Sequence, residues 1–225
     1  MNNILINLEN INFAYKKNVP ILNGLSMQIN KNSIFAILGH NGAGKTTILR
    51  LIAGLIKPQK GNIVWEIKDN KNICFMPEGL GLYPRLSGYD NLKIRLLTYN
   101  KEVSKNEIIN ILEKNDLSEH ANKQVGLWST GMKRRLSLVC ALMTEPSLLL
   151  LDEPFTGIDP VSQKIMQKMI QEKSSICTII FSSHDLSLVK NISTDISIIK
   201  NGKHEFYTNK REDLENIDKI YFEKH

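Results

Sequence analysis

The run from Gly39 to Thr46, GHNGAGKT, constrains this chain more than any other stretch, because it sits between the apolar SIFAIL and the periodic TILRLIAGL. It matches G-x-x-x-x-G-K-[ST], with a strand-like segment before it and helical spacing of Ile48, Leu49, Leu51, Ile52 and Leu55 after it. Glycines let a backbone wrap closely round an anion, and successive N–H groups at a helix N-terminus then meet it with partial positive charge. Gly39, His40, Asn41, Gly42, Ala43, Gly44, Lys45, Thr46 and Thr47 are therefore the candidate phosphate-binding set. Lys45 is placed to reach the outer phosphates as a point charge, and the Thr46 hydroxyl to ligate Mg²⁺. A plain glycine-rich turn would need neither lysine nor threonine there, so the loop predicts a bound nucleoside triphosphate with magnesium.

The surroundings suit an α/β core. ILINLENINFAY and LSMQIN read as strands, the second following a turn at Asn23-Gly24, and KPQKGNIVWEI and NICFM follow the first helix with a polar turn, Lys68 to Asn72, between them. Between about Leu86 and Met143 the pattern becomes helical: NLKIRLLTYN, then SKNEIINILEK with Ser104 and Glu107 in capping-box spacing, then MKRRLSLVCALM. Strand returns with SLLLLDEP, helix with PVSQKIMQKMIQEK, and strand again with SICTIIFSS. Continuous apolar strands alternating with helices predict a buried parallel sheet. DISIIK and KHEFYT around Asn201-Gly202 predict a hairpin, and the remaining residues are too few for a further domain.

Bulk properties exclude several classes. The longest apolar runs fall far short of the roughly 20 residues a membrane helix needs. The start, MNNILINLEN, has no basic leader or cleavage site, which points to the cytoplasm. Cys74, Cys140 and Cys177 lie scattered in apolar contexts, as buried thiols do, with no metal-site spacing. A net charge of +6 could favour anionic partners, but the lysines are spread along the chain and only Lys133 to Arg135 cluster, so no nucleic-acid contact is expected.

The second constellation is SLLLLDEPFTGIDP. A buried strand that ends in Asp152-Glu153 presents two carboxylates where open α/β sheets bind ligands. Asp152 suits Mg²⁺ through its water shell, and Glu153 can accept a proton from an attacking water.

With these segments the chain resembles the nucleotide-binding subunits of ATP-binding-cassette (ABC) transporters, over essentially its whole length and in the family's motif order. GHNGAGKT looks like Walker A, LLLLDE like Walker B, WSTGMKRR like the signature segment, GIDP like the D-loop and SSHD like the switch-histidine segment. The resemblance implies a P-loop ATPase core, residues 1–85 and 144–225, with an antiparallel β subdomain and an inserted helical subdomain at about 86–143. It implies that Tyr15 stacks on adenine, although a sheet-packing tyrosine reads equally well. It implies that Ser129 and Gly131 start a helix aimed at the γ-phosphate of ATP on the other subunit, that Asp159 connects the two sites, and that His184 contacts the γ-phosphate. Ser129 and Asp159 also read as ordinary helix caps.

Two positions depart from the family. The signature is most often LSGGQ, whereas here Thr130 replaces a glycine and Met132 the glutamine. The glutamine that usually binds Mg²⁺ after the NICFM strand is replaced by Glu78, within a P-E-x-x-G-L-Y-P-x-L-[ST] pattern similar to exporters with separate membrane subunits. The resemblance thus implies an ATPase that works as a homodimer, or with a paralogue, beneath multispanning permease subunits at the cytoplasmic face of the membrane, exporting a hydrophobic or peptide toxin. A soluble ABC ATPase acting on DNA or ribosomes is the alternative. A regulatory module without turnover is a third reading, which Glu153, Asp159 and His184 together disfavour.

Overall fold

The five apolar residues of β3 (Ile34–Leu38) are all buried in the computed structural model, which describes residues 4–65 and 72–224. A strand apolar on both faces must lie inside a covered sheet. β3 pairs in parallel with β7 (Thr178–Ser183) on one side and β8 (Asp195–Lys200) on the other. β6 (Leu148–Leu151) and β5 (Ile73–Met76) continue the parallel set beyond β7, and β9 (Lys203–Thr208) closes the far edge antiparallel to β8. Asn201 and Gly202, at φ 50° and 72°, make the hairpin turn, where left-handed backbone matches the twist of the strands.

This turn is braced from both sides. The Gly202 N–H donates to the Ala43 carbonyl at 3.2 Å, inside the glycine loop, and its carbonyl accepts from the Asn23 N–H at 3.1 Å.

A second, antiparallel sheet in the order β2-β1-β4 is built from β1 (Ile4–Phe13), β2 (Leu22–Asn30) and β4 (Lys60–Trp65). Here the structure corrects one expectation. Asn23-Gly24 lies within β2 rather than in a turn before it: Gly24 has φ 68°, the β1–β2 register is irregular opposite it, and the Asn12 side chain accepts from its N–H. An Asn-Gly pair serves a bulge as well as a turn, since both need positive φ. The chain reverses between Phe13 and Leu22 instead, around an isolated bridge from Lys16 to Val19. The polar turn expected at Lys68 to Asn72 lies, apart from Asn72, outside the described residues.

Three apolar clusters hold these parts. One lies between the antiparallel sheet, α1 (Lys45–Ile52) and one face of the parallel sheet. The opposite face packs against α4 (Thr130–Leu142), α5 (Pro160–Lys173), α6 (Leu186–Ile192) and α8 (Ile217–Lys224), the last of which contributes the fully buried Ile217. The third joins α2 (Gly88–Thr98), α3 (Lys105–Glu113) and α4 through Leu92, Ile108, Trp128 and Leu136. Helix α4 therefore belongs to two clusters, Leu138 facing the sheet and Leu136 facing α2 and α3. Ser104 caps α3 with the reciprocal Glu107 bond, which holds the Glu107 carboxyl below its ordinary range. α6, the short α7 (Arg211–Glu215) and α8 lie in segments to which the sequence pattern assigns no element.

Candidate active site

Register sets the site. β3 pairs Leu38 with Ser183, β6 pairs Leu151 with Phe181, and β5 pairs Met76 with Leu151, so the residues just past each strand emerge on one edge of the sheet. Those residues are Gly39, Glu78, Asp152-Glu153 and His184. Open α/β sheets bind ligands at this carboxyl edge.

The loop from Gly39 to Gly44 turns back over β3 and feeds α1. Gly42 and Gly44 have φ 85° and 104°. A Cβ on Gly39 would meet the Ile199 carbonyl at 2.5 Å, which excludes a larger residue there, while at Gly44 the positive φ itself disfavours any side chain. Around Gly42 nothing lies within 4 Å of a built Cβ, which leaves its backbone open to a ligand. No side chain caps α1, so its first N–H groups are free to face an anion. A cleft of about 340 Å³ opens there, lined by Asn41, Gly42, Lys45, Thr46, Glu78 and Glu153 among others.

Lys45 is buried and curls over the loop, donating to the Gly39 carbonyl at 2.8 Å and the His40 carbonyl at 3.2 Å. Its Nζ also stands 3.1 Å from Glu153 Oε1, a charge contact without hydrogen-bond alignment. The Thr46 hydroxyl donates to Asp152 Oδ1 at 3.0 Å, and the Ser182 hydroxyl donates to the same oxygen at 2.8 Å. Among the described residues no group of three or more His, Cys, Asp or Glu side chains converges on one point. One hydroxyl beside one buried carboxylate is nevertheless an oxygen set suited to Mg²⁺, which keeps waters and takes phosphate oxygens for the rest of its shell.

Glu153 is the most constrained residue of the site. Its φ is 47°, a left-handed conformation that costs a non-glycine residue about 1–3 kcal/mol and persists only where neighbours hold it. Three elements do so. Its N–H donates to Ser182 Oγ at 2.8 Å, and its carbonyl accepts from Arg134 Nη1 at 2.8 Å and from the Thr156 N–H at 3.3 Å. The carboxylate then reaches Lys45 with one oxygen, while the other accepts from the Thr156 hydroxyl at 3.0 Å and lies 3.2 Å from His184 Nδ1. Glu153 also borders a smaller cavity of about 170 Å³ on the His184 side, so its side chain stands between two clefts.

The other expected residues lie apart from this cleft. Ser129 caps α4, its hydroxyl accepting from the Met132 N–H at 3.2 Å. Gly131 packs against the start of α5: a Cβ there would stand 2.4 Å from Ser162 Oγ and 2.6 Å from Asp159 Oδ2. Asp159 caps α5 by accepting from Val161 and Ser162, and hydrogen bonds from Ser162 hold its carboxyl below the usual range. Ser129, Gly131 and Asp159 thus form a second group at two adjoining helix starts. Met132 is half-buried against the α2–α4 cluster. Tyr15 is exposed, edge-on to Phe13 with ring centroids 4.9 Å apart, and its hydroxyl accepts from Arg50 at 3.1 Å.

Arg134 is the residue that sequence reasoning missed. It looked like part of a basic run, yet Arg134 and Arg135 are both buried. A groove of about 420 Å³ between β1, β2 and β9 is larger than either cleft. Its Tyr207 and Asn30 are already engaged with Asp195, and it holds neither glycine loop nor carboxylate pair.

Comparison with known proteins identifies the family and the fold. The profile of the ABC transporter family matches residues 22–156. The lantibiotic transport ATP-binding protein SrtF of Streptococcus pyogenes is 36% identical over 205 residues, covering 88% of each chain. The bacitracin transport ATP-binding protein BcrA of Bacillus licheniformis is 38% identical over 193 residues, 80% of this chain and 61% of that relative. The solved structure of an ATP-binding subunit of an ABC transporter superposes with a TM-score of 0.85 at 23% identity, covering 98% and 99% of the two chains, which establishes the same fold.

Proposed function

Because this chain belongs to the ABC transporter family and is one of its ATP-binding, ATP-hydrolysing subunits, we propose that it drives export through separate membrane subunits by closing and reopening as a dimer. The observation that carries this is the division of the expected residues into two groups. Lys45, Thr46, Asp152, Glu153 and His184 gather at the strand ends, whereas Ser129, Gly131 and Asp159 sit at the starts of α4 and α5, outside the cleft. A site split in this way is completed by a second copy or a paralogue, whose α4 start would cover the first copy's nucleotide.

In this reading the glycine loop and Lys45 hold the β- and γ-phosphates, with Tyr15 under the adenine. Thr46, Asp152 and Glu78 would hold Mg²⁺, which would supply positive charge against the phosphates. Glu153 accepts the proton of the attacking water as His184 steadies the γ-phosphate. ATP competes with Glu153 for Lys45, so binding releases the carboxylate to face that water. Hydrolysis removes the γ-phosphate that both copies grip, and the dimer reopens. Residues 86–143 form the unit that carries the motion to the permease, through the loop that follows Glu78.

No helix among the described residues is long and apolar enough to cross a membrane. From the likeness to the transport ATP-binding relatives, the cargo pathway is assigned to multispanning permease subunits, with this chain docked at their cytoplasmic face. SrtF and BcrA are named for transport of lantibiotic and bacitracin. A peptide antibiotic is accordingly the proposed cargo class.

The test is to purify tagged Glu153→Gln protein with ATP from detergent-solubilised native membranes and identify its companions by mass spectrometry. A multispanning protein at near-equal stoichiometry is expected. Ribosomal proteins or DNA in its place would overturn transport in favour of a soluble ATPase.

A further inference from the structure

Arg134 has no role in the mechanism above, yet it is only 7% exposed and reaches from the second turn of α4 to the backbone of Glu153. Burying a guanidinium is costly unless its donors are used. Nη1 is used, at 2.8 Å from the Glu153 carbonyl. Burial lowers the pKa of Arg134, and the charges of Glu78 and Glu153 pull it back up, which places the guanidinium in the field of both carboxylates. Its Nε is buried without a hydrogen-bond partner, an uncommon circumstance that calls for a reason. The same face of α4 makes a second tie: the buried Ser137 hydroxyl donates at 2.6 Å to the carbonyl of Leu80, two residues past Glu78.

Helix α4 is thus fastened to both acidic loops of its own subunit, while its first turn carries Ser129 and Gly131. We propose that Arg134 is a positioning residue for hydrolysis: by holding the Glu153 carbonyl it keeps that residue in its left-handed conformation, and so links the start of α4 to the aim of the carboxylate. The inference rests on Glu153 being the base. A left-handed glutamate released from one of its three backbone tethers relaxes towards ordinary φ values, and its side chain then swings off the line from Lys45 to His184. The consequence concerns the rate of the chemical step and not the grip on nucleotide, because Arg134 touches no residue of the glycine loop among its hydrogen bonds.

The experiment is steady-state ATP hydrolysis by the full chain for Arg134→Met, Arg134→Gln and Arg134→Lys, with affinity for a fluorescent ATP analogue measured alongside. Arg134→Met is expected to lower kcat at least tenfold while KM and analogue affinity stay within about twofold. Arg134→Lys, which keeps a charged donor, should recover half or more of the lost rate. An unchanged kcat in Arg134→Met overturns the proposal, as does a loss that Arg134→Lys fails to recover. If Arg134→Met does not fold, Arg134→Lys retaining a rate well above Arg134→Gln supports the positioning role, and equal rates refute it. Glu153→Gln is assayed in the same series. Full hydrolysis by that variant would remove the base itself, a failure distinguishable from any result at Arg134.

Discussion

Lys45 Nζ and Glu153 Oε1 stand 3.1 Å apart, with the two side chains 6% and 14% exposed. The lysine expected to hold phosphate and the glutamate expected to receive a proton are therefore each other's counter-ions. Removing one member of a buried pair strands the other, at a cost of about 3–5 kcal/mol. Here Glu153 keeps Thr156 and His184 as partners, so the lower end applies. Lys45→Met should destabilise the protein by about 3 kcal/mol in urea unfolding and also abolish measurable ATP binding. A variant as stable as the parent would show that the pair contributes nothing to the fold.

For Glu153→Gln the shape is kept and the basicity lost. Nucleotide affinity is expected to stay within a few-fold, turnover to fall at least a hundredfold, and ATP to induce a dimer visible by size-exclusion chromatography with light scattering. Hydrolysis at the parent rate would exclude Glu153 as the base.

Gly131 offers a packing test. A methyl group there meets Ser162 and Asp159 closer than any real contact allows. Gly131→Ala should therefore cost about 1–3 kcal/mol through forced separation of the starts of α4 and α5. Combining it with Ser162→Ala should recover part of the loss, and a purely additive double variant would mean that the contact is not the cause.

Tyr15 distinguishes stacking from hydrogen bonding. If the ring binds adenine, Tyr15→Phe keeps ATP affinity and Tyr15→Ala loses it roughly tenfold, a change matching about 1–3 kcal/mol per stacked base. Equal affinity in all three proteins would assign Tyr15 to packing on Phe13.

The cysteines make a pH prediction. Burial pushes the Cys140 and Cys177 thiols up to about 12 from an ordinary value of 9.0. The folded chain thus favours the neutral thiol, and the unfolded chain ionises first. The contribution to stability is full below pH 9 and declines as pH rises towards 12. At pH 8 a thiol-specific colorimetric reagent should react with all three cysteines only after denaturation. Rapid labelling of the native protein would contradict their burial.

Several of these features were legible in the residues alone. GHNGAGKT and LLLLDE announce themselves because a backbone cradle and a strand-end carboxylate pair each demand fixed residue types at fixed spacing. The capping box at Ser104 and Glu107 and the hairpin at Asn201-Gly202 are equally local. Arg134 was not legible, because its partner is a backbone carbonyl 19 positions away and a carbonyl leaves no trace in a sequence. Helix α6 escaped because its seven residues span barely two turns, too short for periodicity to show. At Asn23-Gly24 the same dipeptide chemistry serves a bulge or a turn, and only the pairing with β1 decides between them.

The turn at Asn201 and Gly202 bears on how the protein can be handled in the laboratory. A hairpin tip is ordinarily the safest place to splice in an epitope, a fluorophore or a new terminus. Here its backbone grips Ala43 on one side and Asn23 on the other, and a Cβ on Gly202 would stand 2.0 Å from the Ile21 carbonyl. Anything grafted there would press on the loop that cradles phosphate, so labels for following the protein at work belong elsewhere on the surface.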